Sequence, residues 1–142
     1  MIRIMQTKDV REVAKLEQEC FSLPWTESAL EKEVSNPDSL FCVCEIDGKI
    51  VGYAGMYYVY PEGDITNVAV TKEYRRQGIA KEILTYMFSE AKKSAVTEYT
   101  LEVRVGNKSA ISLYETLGFE NAGVRKNFYD NPKEDAFVMW KR

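Results

Sequence analysis

Histidine is absent from this 142-residue sequence. The absence excludes serine–histidine–aspartate triads, zinc sites built on paired histidines, and pH switches that depend on an imidazole. Cysteine is scarce as well: Cys20, Cys42 and Cys44 are too few and too unevenly spaced for a disulfide framework. Cys42 and Cys44 alternate within an apolar run, a pattern typical of small side chains on one face of a strand. The sequence therefore favours a reducing compartment.

Long apolar runs and an excess of basic charge are also missing. The longest apolar stretch without a charged residue, Ile50 to Tyr60, is too short to cross a bilayer. No apolar segment follows the first four residues, so we expect no signal peptide, no membrane contact and a cytoplasmic location. The chain has 19 basic and 22 acidic residues, a net charge of −3, whereas a sequence-blind nucleic-acid binder should be basic. A mildly acidic protein can instead attract a protonated amine or a basic peptide.

The composition that remains is that of an ordinary globular protein, with 45% hydrophobic and 29% charged residues. No repeat, linker or low-complexity tract interrupts the chain. We therefore expect one domain spanning residues 1–142. The sequence carries no signal for an oligomeric state.

Hydrophobic periodicity predicts a mixed α/β (α+β) domain around one sheet, in the order β-α-α-β-β-β-α-β-α-β-β. Turns at Asp47-Gly48 and Pro61-Glu62-Gly63 join the middle three strands, which should form an antiparallel meander. Helices are predicted over 7–21, 26–35, 79–91 and 107–117. Strands are predicted over 2–4, 40–46, 50–60, 65–70, 97–105, 119–129 and 135–140.

The segment before the third helix has the features of an anion site. A helix N-terminus offers unpaired N–H groups and partial positive charge, and Gly78 lets the backbone approach a ligand closely. Four of the ten residues from Lys72 to Lys81 are basic, and only Glu73 is acidic. These features suit a pyrophosphate. The alternative is an ordinary strand-to-helix turn with a solvated cluster of charges.

Glu102 is the most unusual carboxylate in the sequence. Leu101, Val103 and Val105 share one face of their strand, and Glu102 lies on the other. The strand lies between two helical segments, which is the context of a central strand buried on both faces. A carboxylate in that place is costly unless it is solvated or partnered. Glu102 is thus either a functional group or a residue that faces water or pairs with a surface cation.

Tyr114 and Asn107 belong to the fourth helix and allow two interpretations each. Tyr114 falls on the apolar face, so it is either a core aromatic or a buried hydroxyl with a function. Asn107 stands where an N-cap is expected, and the same amide could contact a ligand. The spacing alone favours the structural interpretation of both residues.

Several of these segments together resemble the GNAT superfamily of acetyltransferases. Residues 75–80, Arg-Arg-Gln-Gly-Ile-Ala, match its acetyl-coenzyme A signature R/Q-x-x-G-x-G/A, with alanine in place of the last glycine. Residues 67–70, Asn-Val-Ala-Val, resemble the cofactor strand that precedes it. Residues 101–104 with Asn107, and residues 113–119, are similar to bacterial N-terminal acetyltransferases that modify the alanine terminus of a ribosomal protein. The resemblance covers nearly the whole chain.

The resemblance implies a fold and a cosubstrate. The fold is a single mixed, mostly antiparallel sheet with a V-shaped splay between the strands 65–70 and 97–105, flanked by about four helices. Acetyl-CoA would lie in the V and no metal would be required. Backbone groups would hold the pantetheine and the acetyl carbonyl at Val68, Ala69 and Val70. The pyrophosphate motif begins at Arg75. The pyrophosphate would be held by the backbone amides of Arg76, Gln77, Gly78, Ile79, Ala80 and Lys81. Asn107 would contact the cofactor.

The resemblance also implies a direct transfer with Glu102 as general base and Tyr114 as general acid. An α-amino group has a pKa of about 7.7–8.0 and is mostly protonated at neutral pH, so attack on a thioester needs a base. A lysine amine, with a pKa of about 10.4, asks more of that base. This difference favours the N-terminal peptide of a protein as acceptor, and by resemblance a small-subunit ribosomal protein.

Two alternatives remain open at the level of sequence. One is a GNAT enzyme for another acceptor, such as a lysine, a polyamine or an antibiotic amine. The other is a non-catalytic module that senses acyl-coenzyme A. Glu102 and Tyr114 argue against the sensor, because a sensor needs neither residue.

Overall fold

The computed structural model describes every residue from Met1 to Arg142 and contains one seven-stranded sheet with four helices. The helices are α1 (Val10–Cys20), α2 (Glu27–Val34), α3 (Ile79–Lys93) and α4 (Lys108–Thr116). The strands are β1 (Ile2–Ile4), β2 (Ser39–Ile46), β3 (Lys49–Val59), β4 (Glu62–Val70), β5 (Glu98–Arg104), β6 (Glu120–Tyr129) and β7 (Glu134–Lys141). No helix is both long and apolar enough to span a membrane.

Local sequence signals account for the ends of several elements. Thr26 caps α2 by accepting the Ala29 N–H at 3.1 Å. Asp47 and Gly48 have φ angles of 51° and 77°, the left-handed pair that a tight two-residue hairpin between β2 and β3 requires. The predicted element order and the antiparallel meander of β2, β3 and β4 are therefore confirmed.

One predicted turn is wrong. Glu62 and Gly63 do not form the turn after β3 but already pair with Val59 and Tyr58 as the first residues of β4. Gly63 is needed for close packing, since a Cβ there would meet the Met56 sulfur at 2.5 Å. The glycine therefore marks a crowded strand interior instead of a bend.

The two faces of the sheet carry separate apolar clusters. On one face α1 and α2 pack against β2, β3 and β4, and on the other α3 and α4 cover a larger cluster. The α1 residues Val10, Val13 and Ala14 lie at the spacing of one helix face and are buried. Each cluster removes one apolar helix face from water, which is the dominant favourable contribution to folding.

The sheet opens in its middle, between β4 and β5. The strand order is β1-β2-β3-β4-β5-β7-β6, and β4 and β5 are the parallel neighbours. Their pairing stops at Ile65 and Leu101 after four residue pairs, although both strands continue. Thr66 is an extra residue in β4, because Ile65 pairs with Met56 and Asn67 pairs with Gly55. A bulge bends its strand, so it accounts for the divergence that begins there.

Candidate active site

The divergence of β4 and β5 creates a cleft of about 560 Å³. Both strands contribute to its walls, together with the end of α1, the α1–α2 loop, α4 and the β6–β7 turn. The cleft is lined by Val68 of the predicted cofactor strand, by Glu102, and by Asn107 and Tyr114 of the fourth helix. The structure therefore brings together four of the predicted site residues.

Glu102 presents its carboxylate to the cleft from β5. Its side chain keeps 22% of its exposure, and Oε1 lies 3.6 Å from Nε of the largely exposed Arg125. The expectation that this strand is buried on both faces is wrong. Leu101 and Val103 are buried, whereas Glu102 and Arg104 are half-buried, because no helix covers this end of the sheet on their side. The open face lets the carboxylate stay solvated beside a cation.

Tyr114 approaches the cleft from α4, and its residue is 8% exposed. Its hydroxyl has no hydrogen-bond partner in the chain, and its ring meets Phe119 edge-on at a centroid distance of 5.8 Å. Burial raises the pKa of Tyr114 well above its ordinary value, and the nearby Tyr129 adds to the shift. The hydroxyl therefore keeps its proton at neutral pH and is available as a donor.

Asn107 fulfils its predicted structural role, since its Oδ1 accepts the Ala110 N–H at 3.3 Å and caps α4. The residue also lines the cleft. The capping bond uses the amide oxygen and leaves the Nδ2 donor free for a ligand. The structural and the functional interpretation of Asn107 are thus compatible.

The segment before α3 lies outside the walls of the cleft and forms a separate cradle. None of the backbone N–H groups from Arg76 to Lys81 has an acceptor in the chain. Arg76 and Gly78 both have left-handed φ angles, 63° and 78°, and such alternation turns successive amides toward one point. Arg75 faces another way, because its Nε donates to the Val70 carbonyl at 2.9 Å. The unpaired amides and basic side chains fit a pyrophosphate.

Sequence reasoning missed two parts of the site. Arg104 donates to the Pro132 carbonyl at 2.8 Å and to Glu134 at 3.2 Å, which fixes the β6–β7 turn at the end of β5. Its guanidinium also lies 4.4 Å from the ring centre of Tyr129, another lining residue. Burial and the charge of Glu102 raise the pKa of Tyr129 to about 12. No spacing rule connects residues so far apart in sequence.

Glu17 is the second missed residue, and a signal for it existed. It occupies position i+7 of the apolar stripe that begins at Val10, Val13 and Ala14, where a core residue is expected. The structure buries it to 1% exposure and places it in the wall of the cleft. A carboxylate on the apolar face of a predicted helix is the pattern that would have identified it.

This splayed sheet, with an amide cradle at a helix N-terminus, defines the class of acyl-coenzyme A-dependent N-acyltransferases. The model of the acetyltransferase (GNAT) family matches residues 10–119, and the chain belongs to that family. It is an acetyl-CoA-dependent N-acetyltransferase. The alternative of a non-catalytic sensing module is therefore excluded. The expected GNAT fold is confirmed.

Two curated relatives and one solved structure show how extensive the similarity is. A putative [ribosomal protein bS18]-alanine N-acetyltransferase from Bacillus subtilis is 35% identical over 140 residues, 98% of this chain and 93% of the relative. The [ribosomal protein bS18]-alanine N-acetyltransferase of Escherichia coli K12 is 33% identical over 97% of this chain and 94% of its own. The crystal structure of the E. coli ribosomal-protein-S18-alanine N-acetyltransferase superposes with a TM-score of 0.90 at 32% identity, covering 99% of this chain and 92% of that one.

Proposed function

We propose that this enzyme acetylates the N-terminal alanine of ribosomal protein bS18, a small-subunit protein, and does so in the cytoplasm. The full-length similarity to relatives named for that reaction supports the acceptor. The observation that carries the chemistry is that Glu102 and Tyr114 line one cleft from different elements, at the point where β4 and β5 separate. Their shared cleft supports the proposal of a general base and a general acid within one site.

We assign the binding of acetyl-CoA to three parts of the chain. The amides from Arg76 to Lys81 hold the pyrophosphate, Val68, Ala69 and Val70 hold the pantetheine and acetyl carbonyl, and Asn107 adds a contact. When bound, acetyl-CoA supplies an activated acetyl thioester. Val68 lines the cleft, so the acetyl end belongs beside Glu102.

Glu102 removes a proton from the acceptor ammonium, directly or through a water, and so produces the nucleophilic amine. Its side chain keeps 22% of its exposure, so water or the acceptor amine can reach the carboxylate. Tyr114 holds its proton above neutral pH and donates it to the departing sulfur. An N-terminal amine is deprotonated more easily than a lysine, by about 2.5 pKa units, which favours the α-amine as acceptor.

Transfer of isotopically labelled acetyl groups tests the acceptor. The enzyme is incubated with labelled acetyl-CoA and unacetylated ribosomal proteins, and the label is located by mass spectrometry of the digested proteins. We expect the label on the N-terminal alanine of bS18, and no label with the Glu102→Gln enzyme over the same time. Label on lysine side chains or on small amines alone would contradict the proposed acceptor and support the alternative acceptor classes.

A further inference from the structure

The buried carboxylate of Glu17 accepts hydrogen bonds from three separate elements. The Trp25 N–H of the α1–α2 loop donates to Oε1 at 2.8 Å. The Asn67 Nδ2 of β4 donates to Oε2 at 3.4 Å, and the Tyr53 hydroxyl of β3 donates to the same oxygen. All three partners are groups that can donate to a carboxylate oxygen.

No cation of the chain pairs with this charge. None of the seven salt bridges in the structure includes Glu17. Fully buried carboxylates are rare unless they are paired, because neutral hydrogen bonds replace only part of the lost hydration. Glu17 is 1% exposed. The site therefore holds a negative charge whose counter-ion the protein itself does not supply.

The position of Glu17 indicates where that counter-ion comes from. Glu17 lines the same cleft as Glu102, and its partner Asn67 immediately precedes Val68 in β4. Glu17 belongs to the β4 side of the splay, where α1 packs, and Glu102 belongs to β5. An acceptor amine arrives mostly as an ammonium at neutral pH, so a cation enters between two carboxylates.

We propose that Glu17 is a binding residue for the positively charged amine of the acceptor, and that the ammonium is the missing counter-ion of its buried charge. The inference rests on the proposed function. It differs from a purely structural role, in which the same hydrogen bonds only fasten the α1–α2 loop to the sheet. The two roles can be distinguished by experiment, because only amine binding depends on the charge of the ligand.

The Glu17→Gln variant keeps the shape of the side chain and an oxygen for the Trp25 N–H, but removes the charge. Binding is measured by calorimetry in the presence of coenzyme A, with a peptide of the bS18 N-terminus and with the same peptide N-acetylated. We expect the free-amine peptide to bind roughly tenfold more weakly or worse, as loss of a charge-assisted contact implies. Binding of the acetylated peptide and of coenzyme A should not change.

Two variants serve as matched controls. Glu12→Gln makes the same change on the same helix, where Glu12 accepts the Ile50 N–H at 3.0 Å on the surface. Tyr53→Phe removes one hydrogen bond of the network but keeps the Glu17 charge. Neither should alter the preference for the free amine. If Glu17→Gln weakens both peptides equally, or neither, the role is structural and the inference is overturned.

A measurement that leaves Glu17 unchanged keeps the inference testable if Glu17→Gln does not fold. In the Glu102→Gln/Asp130→Asn double variant, the other two carboxylates that line the cleft are neutral, so any preference for the free amine should come from Glu17. We expect the free-amine peptide still to bind more tightly than a peptide whose terminal amine is replaced by a hydroxyl. Equal binding would overturn the inference. Wild-type turnover separates the two proposals: an inactive wild type overturns the proposed acceptor and this inference with it.

Discussion

Glu102 lies beside Arg125 in the cleft. The pH dependence of a Glu102 variant can distinguish a role as general base from a role in substrate binding. Glu102→Gln removes the proton acceptor and should lower kcat near neutral pH by about 10²–10⁴. The deficit should shrink as pH rises above about 8, because the α-amine then loses its proton unaided. Steady-state rates across pH measure both effects. A deficit that is independent of pH would indicate a role in substrate binding.

The chain offers a close control for that variant. Glu98 lies on the same strand, and its Oε1 is also 3.6 Å from an arginine Nε, that of Arg142. Glu98 lies in the paired part of β5, away from the cleft. Glu98→Gln should therefore leave the pH–rate profile of the enzyme unchanged.

Loss of the Tyr114 hydroxyl should affect the rate of the reaction and not the stability of the fold, whereas loss of a core tyrosine hydroxyl should do the reverse. Its hydroxyl has no partner in the chain, so Tyr114→Phe should cost little stability. The single-turnover rate should fall by roughly 10²-fold, at the low end for acid–base catalysis, because a thiolate leaves tolerably without a proton. Tyr99, whose hydroxyl donates to the Val96 carbonyl at 3.1 Å, is the control. Tyr99→Phe should lose about 0.5–1.5 kcal/mol of stability and no chemistry. An unchanged single-turnover rate would show that Tyr114 has only a packing role.

Asp64 carries an unfavourable charge in the folded protein. Its Oδ1 is buried without a hydrogen bond. Burial and the nearby Glu102 raise the pKa of Asp64 from 3.8 to about 6. The folded state thus binds this proton more tightly than the unfolded state. The contribution of Asp64 to stability is therefore present below pH 4 and is lost as pH rises through about 6.

Asp64→Asn removes that loss. The variant should gain about 1 kcal/mol relative to the wild type between pH 4 and pH 7.5, after allowance for solvent screening of a partly exposed carboxyl. Thermal unfolding at the two pH values measures the change. Asp38→Asn, at an exposed position, should show no such pH-dependent gain. An equal response of the two variants would refute the assignment.

At the scale of elements, the loop before α3 is the most testable part of the cofactor site. Gly78 and Gly48 have nearly identical φ angles, 78° and 77°, and a Cβ at either would meet nothing within 4 Å. Leucine at either position should cost about 1–2 kcal/mol of backbone strain. Only Gly78→Leu should place a side chain against bound pyrophosphate.

Coenzyme A should stabilise the wild type and Gly48→Leu by about 2.7 kcal/mol at a hundredfold excess over Kd. The same ligand should leave the Tm of Gly78→Leu unchanged. Thermal shift assays on the three proteins make the comparison. Normal coenzyme A binding by Gly78→Leu would show that the pyrophosphate binds elsewhere.

Local signals predicted the elements well wherever the determinant was local. Asp47-Gly48 marked its hairpin, and Asn107 marked the start of α4, because turn and cap preferences act within a few residues. The bulge at Thr66 had no such signal, since a bulge is defined by the register of the partner strand. Gly63 was read as a turn because packing against Met56 and Val96 is not visible in sequence.

At the scale of the whole molecule, the resemblance predicted what periodicity could not. Hydrophobic patterns do not specify that β4 neighbours β5 in parallel, or that this pairing ends after four residue pairs. Glu102 and Tyr114 were candidates for function, yet their convergence on one cleft depends on that long-range topology. Glu17 was not predicted, although its position i+7 in the apolar stripe that begins at Val10 was a local signal for it.

The splay also gives the sheet an edge in an unusual place. Most sheets keep their unpaired strands at the periphery, where bulges and charges discourage pairing with other chains. Here the stretch from Asn67 to Val70 has a strand partner only in β3, so an open edge runs through the centre of the protein. Coenzyme A in the V would act as a removable strand. We expect it to slow amide hydrogen exchange at Asn67–Val70 and to suppress self-association of the concentrated enzyme, while exchange in the β2–β3 ladder stays unchanged.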